Sequence, residues 1–241
     1  MAYQDLPPNH ESTHHEAHKP TNPGPAVRIL GLCGSVRDGA YSLRALNFAL
    51  EAAEQAGAQC QSWPQSQMHL PLCDGIQTND AVLKLREAVQ QSDALILATP
   101  EYCGTISAVM KNAIEWIGYD LLVQKPVGII AVAAGSSADG SLNALRQLAL
   151  VQGMWVLPAT APVPLAERVF HTLEQLQSNE ATNQADPSGS PTAKNPASTD
   201  EFSHIVLQHI SALGQALPEA VRRLNTPSTA AQSSDQSTVS A

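Results

Sequence analysis

Nine consecutive residues, Gly34-Ser35-Val36-Arg37-Asp38-Gly39-Ala40-Tyr41-Ser42, bring glycine, serine hydroxyls and a guanidinium into one short stretch. Glycine lets a backbone turn close to a ligand, and hydroxyl and guanidinium groups bond phosphate oxygens. A helix following the stretch would aim its free N–H groups at the same anion. The segment is not G-x-x-x-x-G-K-[ST], and the fingerprint G-x-G-x-x-G is missing as well, which argues against an ATPase or an ordinary NAD dehydrogenase. Taken alone, the stretch reads equally well as a plain strand-to-helix turn.

A second stretch, Thr99-Pro100-Glu101-Tyr102-Cys103-Gly104-Thr105, combines a stiff proline, an aromatic ring and a glycine. It could set backbone donors and one ring beside a flat heteroaromatic ligand. The alternative for Tyr102 is a loop aromatic packed on its own helix. A third small-residue stretch is Gly135-Ser136-Ser137. The spacing His10, His14, His15, His18 would align imidazoles if that segment were helical, but nothing nearby would hold the ligands, so it reads as a polar arm with no metal.

These stretches acquire meaning from the elements around them. Val27 to Cys33 is a nearly continuous apolar run, the pattern of a strand covered on both faces. Leu43, Leu46, Leu50 and Ala53 then recur at helical spacing until Gly57. Ala58 to Trp63 is a weaker strand, followed by a helix from about Asn79, its N-cap, to Gln91. Ala94 to Ala98 is a third strand, ended by Thr99-Pro100, and Ile106, Val109, Met110, Ala113 and Ile117 form a helical stripe. Val127 to Ala133 predicts a fourth strand, with a helix through Leu142, Leu145 and Leu148, and Met154 to Leu157 a fifth. Strands alternating with helices imply an α/β fold on a parallel sheet, because each parallel connection needs a crossover. Ligands bind such sheets outside the carboxyl ends of the strands, where all three stretches lie.

The rest of the chain divides by composition. Residues 1–25 read as a disordered His/Pro-rich arm, 26–170 as the core, and 171–197 as a flexible Gln/Asn/Ser insertion too poor in apolar surface to order itself. Residues 198–225 predict an amphipathic helix opened by a capping box, Ser198 to Glu201, docked on the sheet and bent or divided at Pro218. Residues 226–241 read as a disordered tail. The chain has 241 residues with 43% hydrophobic, enough for one sizeable core. A net charge of -9 argues against nucleic-acid or acidic-membrane partners. Four cysteines without a C-x-x-C pair fit a reducing compartment better than a disulfide framework. The arm lacks the apolar segment of a signal peptide, and no apolar run reaches about 18 residues, so the expectation is a cytoplasmic protein with no membrane span.

Gly34-Ser35-x-Arg37 followed by Ser42, and then Pro100-Glu101-Tyr102-x-Gly104-Thr105 leading into Lys111-Asn112-Ala113-Ile114-Glu115-Trp116, resembles the NADPH-dependent FMN reductases of the flavodoxin-like proteins. The resemblance spans about Val27 to Pro158. It implies a five-stranded parallel sheet in the order 2-1-3-4-5 with helices on both faces, and a homodimer or homotetramer. It also implies an enzyme that passes hydride from NADPH or NADH through FMN to a small-molecule acceptor: free flavin, a quinone, an azo compound or a metal oxyanion. Carried over by residue, Ser35, Arg37 and Ser42 would hold the FMN phosphate. Pro100, Glu101, Tyr102, Cys103, Gly104 and Thr105 would line the isoalloxazine, with Gly135 and Ser136 on its other side, and flavin N5 rather than a side chain would carry the chemistry. Lys111, Asn112 and Trp116 would serve helix and interface structure.

Three departures stand out. Cys103 replaces a frequent Asn or His, Ala40 a frequent Ser or Arg, and Gly135-Ser136-Ser137 is poorer in glycine than usual. The rival within the same fold is a non-enzymatic FMN carrier of flavodoxin type, whose phosphate loop has the form Ser/Thr-x-Thr-Gly-x-Thr, unlike Gly-Ser-Val-Arg here.

Overall fold

Alternation along three central strands decides the layering. In the computed structural model, which describes residues 26–75, 79–185 and 200–225, β1 (Val27–Cys33) sends Ile29 and Cys33 into one core and Leu30 and Leu32 into the other. The strand β3 (Ala94–Tyr102) divides Ile96 and Ala98 from Leu95 and Leu97, and β5 (Pro126–Val132) divides Ile130 and Val132 from Val127 and Ile129. Period-two side chains on a sheet covered twice must all be apolar, which is why these segments read as unbroken apolar runs.

With β2 (Ala58–Ser62) and β6 (Trp155–Val156), the through-strands are parallel and ordered β2-β1-β3-β5-β6. This is the expected order. Two short strands raise the total to seven. One, β4 (Thr105–Ile106), folds back antiparallel on the end of β3. The other, β7 (Ala161–Val163), pairs with the far half of β5 on the edge that β6 also uses, so the fifth strand is interrupted between them.

One face carries α1 (Tyr41–Gln55), α6 (Ala166–Ala185) and α7 (Glu201–Asn225). The other carries α2 (Asp80–Gln91), α3 (Ala108–Ile117), the single turn α4 (Tyr119–Leu122) and α5 (Asp139–Val151). Asn79 caps α2, accepting from the N–H groups of Ala81 and Val82.

Three expectations change. The third strand does not stop at Thr99-Pro100 but runs to Tyr102. At Thr99 and Pro100 it has outlived β1 and keeps β5 as its parallel neighbour, where a proline lacking N–H leaves fewer ladder bonds unmade, and Glu101 and Tyr102 pair with β4. The stretch from 171 to 185 is not a loose insertion but part of α6, anchored by Val169 and Phe170, both fully buried, and by Leu173 packed on the same core. Pro218 does not divide the last helix, which runs unbroken across it. The arm at 1–25 with its histidines, the rest of the insertion at 186–197, Ser198 with Thr199, and the tail at 226–241 lie outside the described residues.

Candidate functional site

The turn from β1 into α1 is oriented by bonds from elsewhere in the chain. The Gly34 N–H donates to the Ala98 carbonyl at 2.8 Å. The Gly34 carbonyl accepts from the Ser107 hydroxyl at 2.6 Å, and the Ser35 carbonyl from the Gln65 amide at 2.7 Å. Within the turn, Arg37 N–H donates to Ser35 Oγ at 3.3 Å. Among the described residues no protein acceptor meets the N–H groups of Ser35, Val36, Asp38, Gly39, Tyr41 or Ser42. The helix that follows has Ala40 at its N-cap, which supplies no side-chain acceptor. Arg37 is exposed, and its guanidinium has no partner among the described residues. Six unclaimed amides, an uncapped helix N-terminus and a free guanidinium together are the donor set that an anion requires.

Of the expected phosphate contacts, Arg37 is exposed together with Asp38 and Gly39 beside it, whereas Ser35 is 3% exposed and Ser42 is 2% exposed. Ser42 Oγ accepts from the thiol of Cys33 at 3.6 Å, beneath the turn.

The second stretch is a β-hairpin. Glu101 pairs with Ile106 and Tyr102 with Thr105, leaving Cys103 and Gly104 as the two turn residues. Both have positive φ, 53° and 74°. Two successive left-handed residues are the signature of the tight hairpin turn that favours Asn-Gly. Tyr102, Cys103, Gly104 and Thr105 are exposed at the tip, and Pro100 is buried behind them. Glu101 is aimed differently: its carboxylate accepts the N–H of Ser141, in the first turn of α5, at 2.9 Å. It therefore fastens the hairpin to α5 as a helix cap. Gly140 lets the two approach, since a Cβ there would fall on the Gly104 carbonyl. Gly135 and Ser136 lie exposed on the loop after β5, and the Gly135 carbonyl accepts from Leu165 N–H at 2.8 Å. All three stretches thus occupy the carboxyl ends of β1, β3 and β5, side by side in the sheet.

Side chains behind the loops tie them together, and Ser107 among them carried no signal in the sequence. Ser107 caps α3 through Met110 N–H while bonding Gly34, and Thr99 Oγ1 accepts the Ser107 N–H at 3.1 Å. Asn112 accepts from Cys73 N–H at 2.9 Å and donates to the Pro71 carbonyl at 2.8 Å, a carbonyl that Trp116 Nε1 also reaches at 2.7 Å. Those two side chains clamp the segment after the second strand, and Lys111 pairs with Glu115 on the exposed side of α3. Away from the loops, burial pushes the Cys60 thiol up to about 11. No group of three His, Cys, Asp or Glu side chains among the described residues is placed to share a metal ion.

Residues 27–167 match the family described as NADPH-dependent FMN reductase. The chain belongs to that family. The NADPH-dependent FMN reductase ArsH of Shigella flexneri is 30% identical over 153 residues, covering 61% of this chain and 59% of that protein. An NADPH azoreductase of a Bacillus species is 35% identical over 82 residues, 33% of this chain and 45% of that one. The chain thus spans about half the length of these relatives. Among solved structures, an oxidoreductase of Corynebacterium diphtheriae superposes with a TM-score of 0.61 at 16% identity, over 83% of this chain and 99% of that one, a likeness of fold.

The residues present fit the FMN that gives this reductase family its name. Its phosphate requires donors without competing acceptors, which the turn at 34–42 supplies through six amides with no protein partner among the described residues. Its ring requires an exposed backbone edge, which the hairpin at 101–106 offers. No helix among the described residues is long and apolar enough to cross a membrane.

Proposed function

We propose that this protein is an FMN-containing, NAD(P)H-dependent oxidoreductase that reduces a small-molecule acceptor. The observation that carries the reading is the anion site at Ser35–Ser42, lying in the same sheet end as the exposed hairpin. In it, Arg37 and the free amides hold the phosphate, with Ser35 and Ser42 closing the site from beneath. Pro100, Tyr102, Cys103, Gly104 and Thr105 line the ring, and Gly135 and Ser136 border its other side. Glu101 acts through α5, keeping the hairpin in register.

When bound, FMN supplies hydride acceptance and electron delivery to the second substrate. The chain's part is to bind and orient it. Backbone donors near the hairpin tip favour negative charge on the ring's polar edge, and the buried floor formed by Pro100 and Thr99 keeps water from beneath it. The exposed tip leaves one side open for donor and acceptor to take turns. The acceptor class comprises free flavin, quinones, azo compounds and metal oxyanions.

A second copy of the chain belongs to this reading, as a homodimer or homotetramer. Its support is a groove of about 530 Å³ beside the hairpin, lined by Thr105, Ile106, Ala108, Lys111, Leu148 and Val151. Val151 is 68% exposed, as an interface residue of an isolated protomer would be. A cytoplasmic location is proposed from the cysteines, all four of them free thiols.

The deciding experiment is the absorbance of purified protein before and after anaerobic NADPH. A yellow protein bleached by NADPH or NADH is the expected result. Bleaching only through a partner reductase would make it an electron carrier, and a colourless protein that ignores added FMN would overturn the reading.

A further inference from the structure

Gln65 begins a single 3₁₀ turn, Gln65–Met68, just past the second strand, and belongs to neither loop that touches the site. Its Nε2 donates to the Ser35 carbonyl at 2.7 Å and to the Arg37 carbonyl at 3.4 Å, and lies 3.7 Å from Cys33 Sγ. A side-chain amide nitrogen has two hydrogens, so both carbonyls can be served at once.

Those bonds orient the amides that follow. In a trans peptide the C=O and the next N–H point in opposite directions, and no cis peptide occurs among the described residues. A Ser35 carbonyl turned to Gln65 therefore turns the Val36 N–H away from it. The Arg37 carbonyl, which Gln65 shares with the Ala40 N–H at 3.3 Å, does the same for Asp38 N–H. Ser107, bonding the Gly34 carbonyl, sets Ser35 N–H by the same rule. Three of the six amides that lack a protein acceptor are thus aimed by side chains behind the turn, two of them by Gln65.

We propose that Gln65 is a positioning residue for the phosphate site: it holds two carbonyls back so that an anion meets only N–H groups, and selectivity for a phosphorylated flavin depends on it. The proposal rests on the assignment of Ser35–Ser42 to the FMN phosphate. The chemistry requires a neutral double donor. Leucine fills the volume without donors, and a glutamate carboxylate would set oxygen against the Ser35 oxygen until protonation restores a donor.

The test is fluorescence titration of flavin-free full-length protein with FMN and with riboflavin, which shares the ring but lacks the phosphate. Wild type should prefer FMN by about a hundredfold or more, as expected where several charge-assisted bonds are added. In Gln65→Leu, FMN affinity should fall about ten- to fiftyfold, the equivalent of one to two hydrogen bonds, while riboflavin affinity changes less than about threefold. Gln65→Glu, nearly isosteric, should lose at least as much at pH 7.5. It should recover toward wild type measured at the same pH as the pH is lowered to 5.

Wild-type FMN affinity in both variants, or equal loss for the two flavins in folded protein, would overturn the role of Gln65. A wild type that binds both flavins equally would instead remove the phosphate assignment beneath it, and a wild type that binds neither would remove the flavin reading altogether.

Discussion

The hydroxyl of Ser107 reaches the carbonyl of Gly34 at 2.6 Å, joining residues 73 positions apart in sequence. The same oxygen accepts Met110 N–H at 3.1 Å and so caps α3. One side chain thereby bonds both the start of the helix behind the hairpin and the first peptide of the turn after β1, linking the two candidate subsites. Ser107→Ala should remove the cap and leave a buried carbonyl without a donor. A loss of about 1–3 kcal/mol of stability is expected, read by denaturant unfolding, with FMN affinity falling alongside. Unaltered stability would show that the contact contributes little.

Arg37 offers the opposite case. Its guanidinium is exposed and makes no bond to protein among the described residues, so Arg37→Ala should leave the unfolding midpoint where it is. FMN affinity should fall by about 1.5–3 kcal/mol, the range for a hydrogen bond to a charged group. Flavin titration beside a thermal melt separates the two effects, and a variant that binds FMN as wild type does would remove Arg37 from the phosphate site.

The reach of sequence reading followed the range of the interactions involved. Strands whose two faces are both buried, such as Ala94 to Ala98, are legible because burial forces every position to be apolar. The turn after β1 stands out because glycine, serine and arginine lie together there, the residue types that the proposed phosphate site uses. Gln65 and Ser107 are not, since a glutamine or serine acquires its role from carbonyls 30 and 73 residues away that only the fold brings near. The aim of Glu101 was hidden for the same reason: its partner is Ser141, 40 residues on. Helix α6 was obscured by its polar composition, although Ala166, Val169, Phe170 and Leu173 already carry helical spacing.

The docking of α7 supplies a pH dependence. Arg168 binds Asp200, which precedes that helix, through Nε and Nη2 of one guanidinium edge at 2.5 and 2.7 Å, and Ser203 Oγ donates to the same carboxylate at 2.6 Å. The Arg168 bond, followed by that from Ser203, holds the Asp200 carboxyl down to about 2 from its ordinary 3.8. A depressed folded-state value means that the carboxylate's contribution is fully present above the unfolded value and is lost as pH falls from near 4 through 2. Wild type should lose melting temperature over that window more steeply than Asp200→Asn, which has no charge there to lose. Parallel acid limbs in the two proteins would show that the pair does not couple α6 to α7.

Cys103 has the least comfortable backbone in the hairpin. Its φ of 53° lies in the left-handed region, where a residue with a Cβ is disfavoured by roughly 1–2 kcal/mol and asparagine is the best-tolerated side chain after glycine. Cys103→Asn should therefore stabilise the protein by about 0.5–1 kcal/mol. The side chain is exposed at the tip, next to Tyr102, and lies outside the residues proposed to hold the phosphate. FMN affinity should accordingly change little, whereas the residue an incoming acceptor meets would turn from a small thiol into an amide with two donors and an acceptor. The relative kcat/KM for quinones against polar oxidants such as ferric chelates should then shift. Steady-state kinetics with several acceptors, paired with thermal melts, reads both effects. A raised melting temperature with proportional changes for every acceptor would assign Cys103 to the turn alone, and an unraised one would show that the neighbouring strands, rather than the turn residue, set the hairpin.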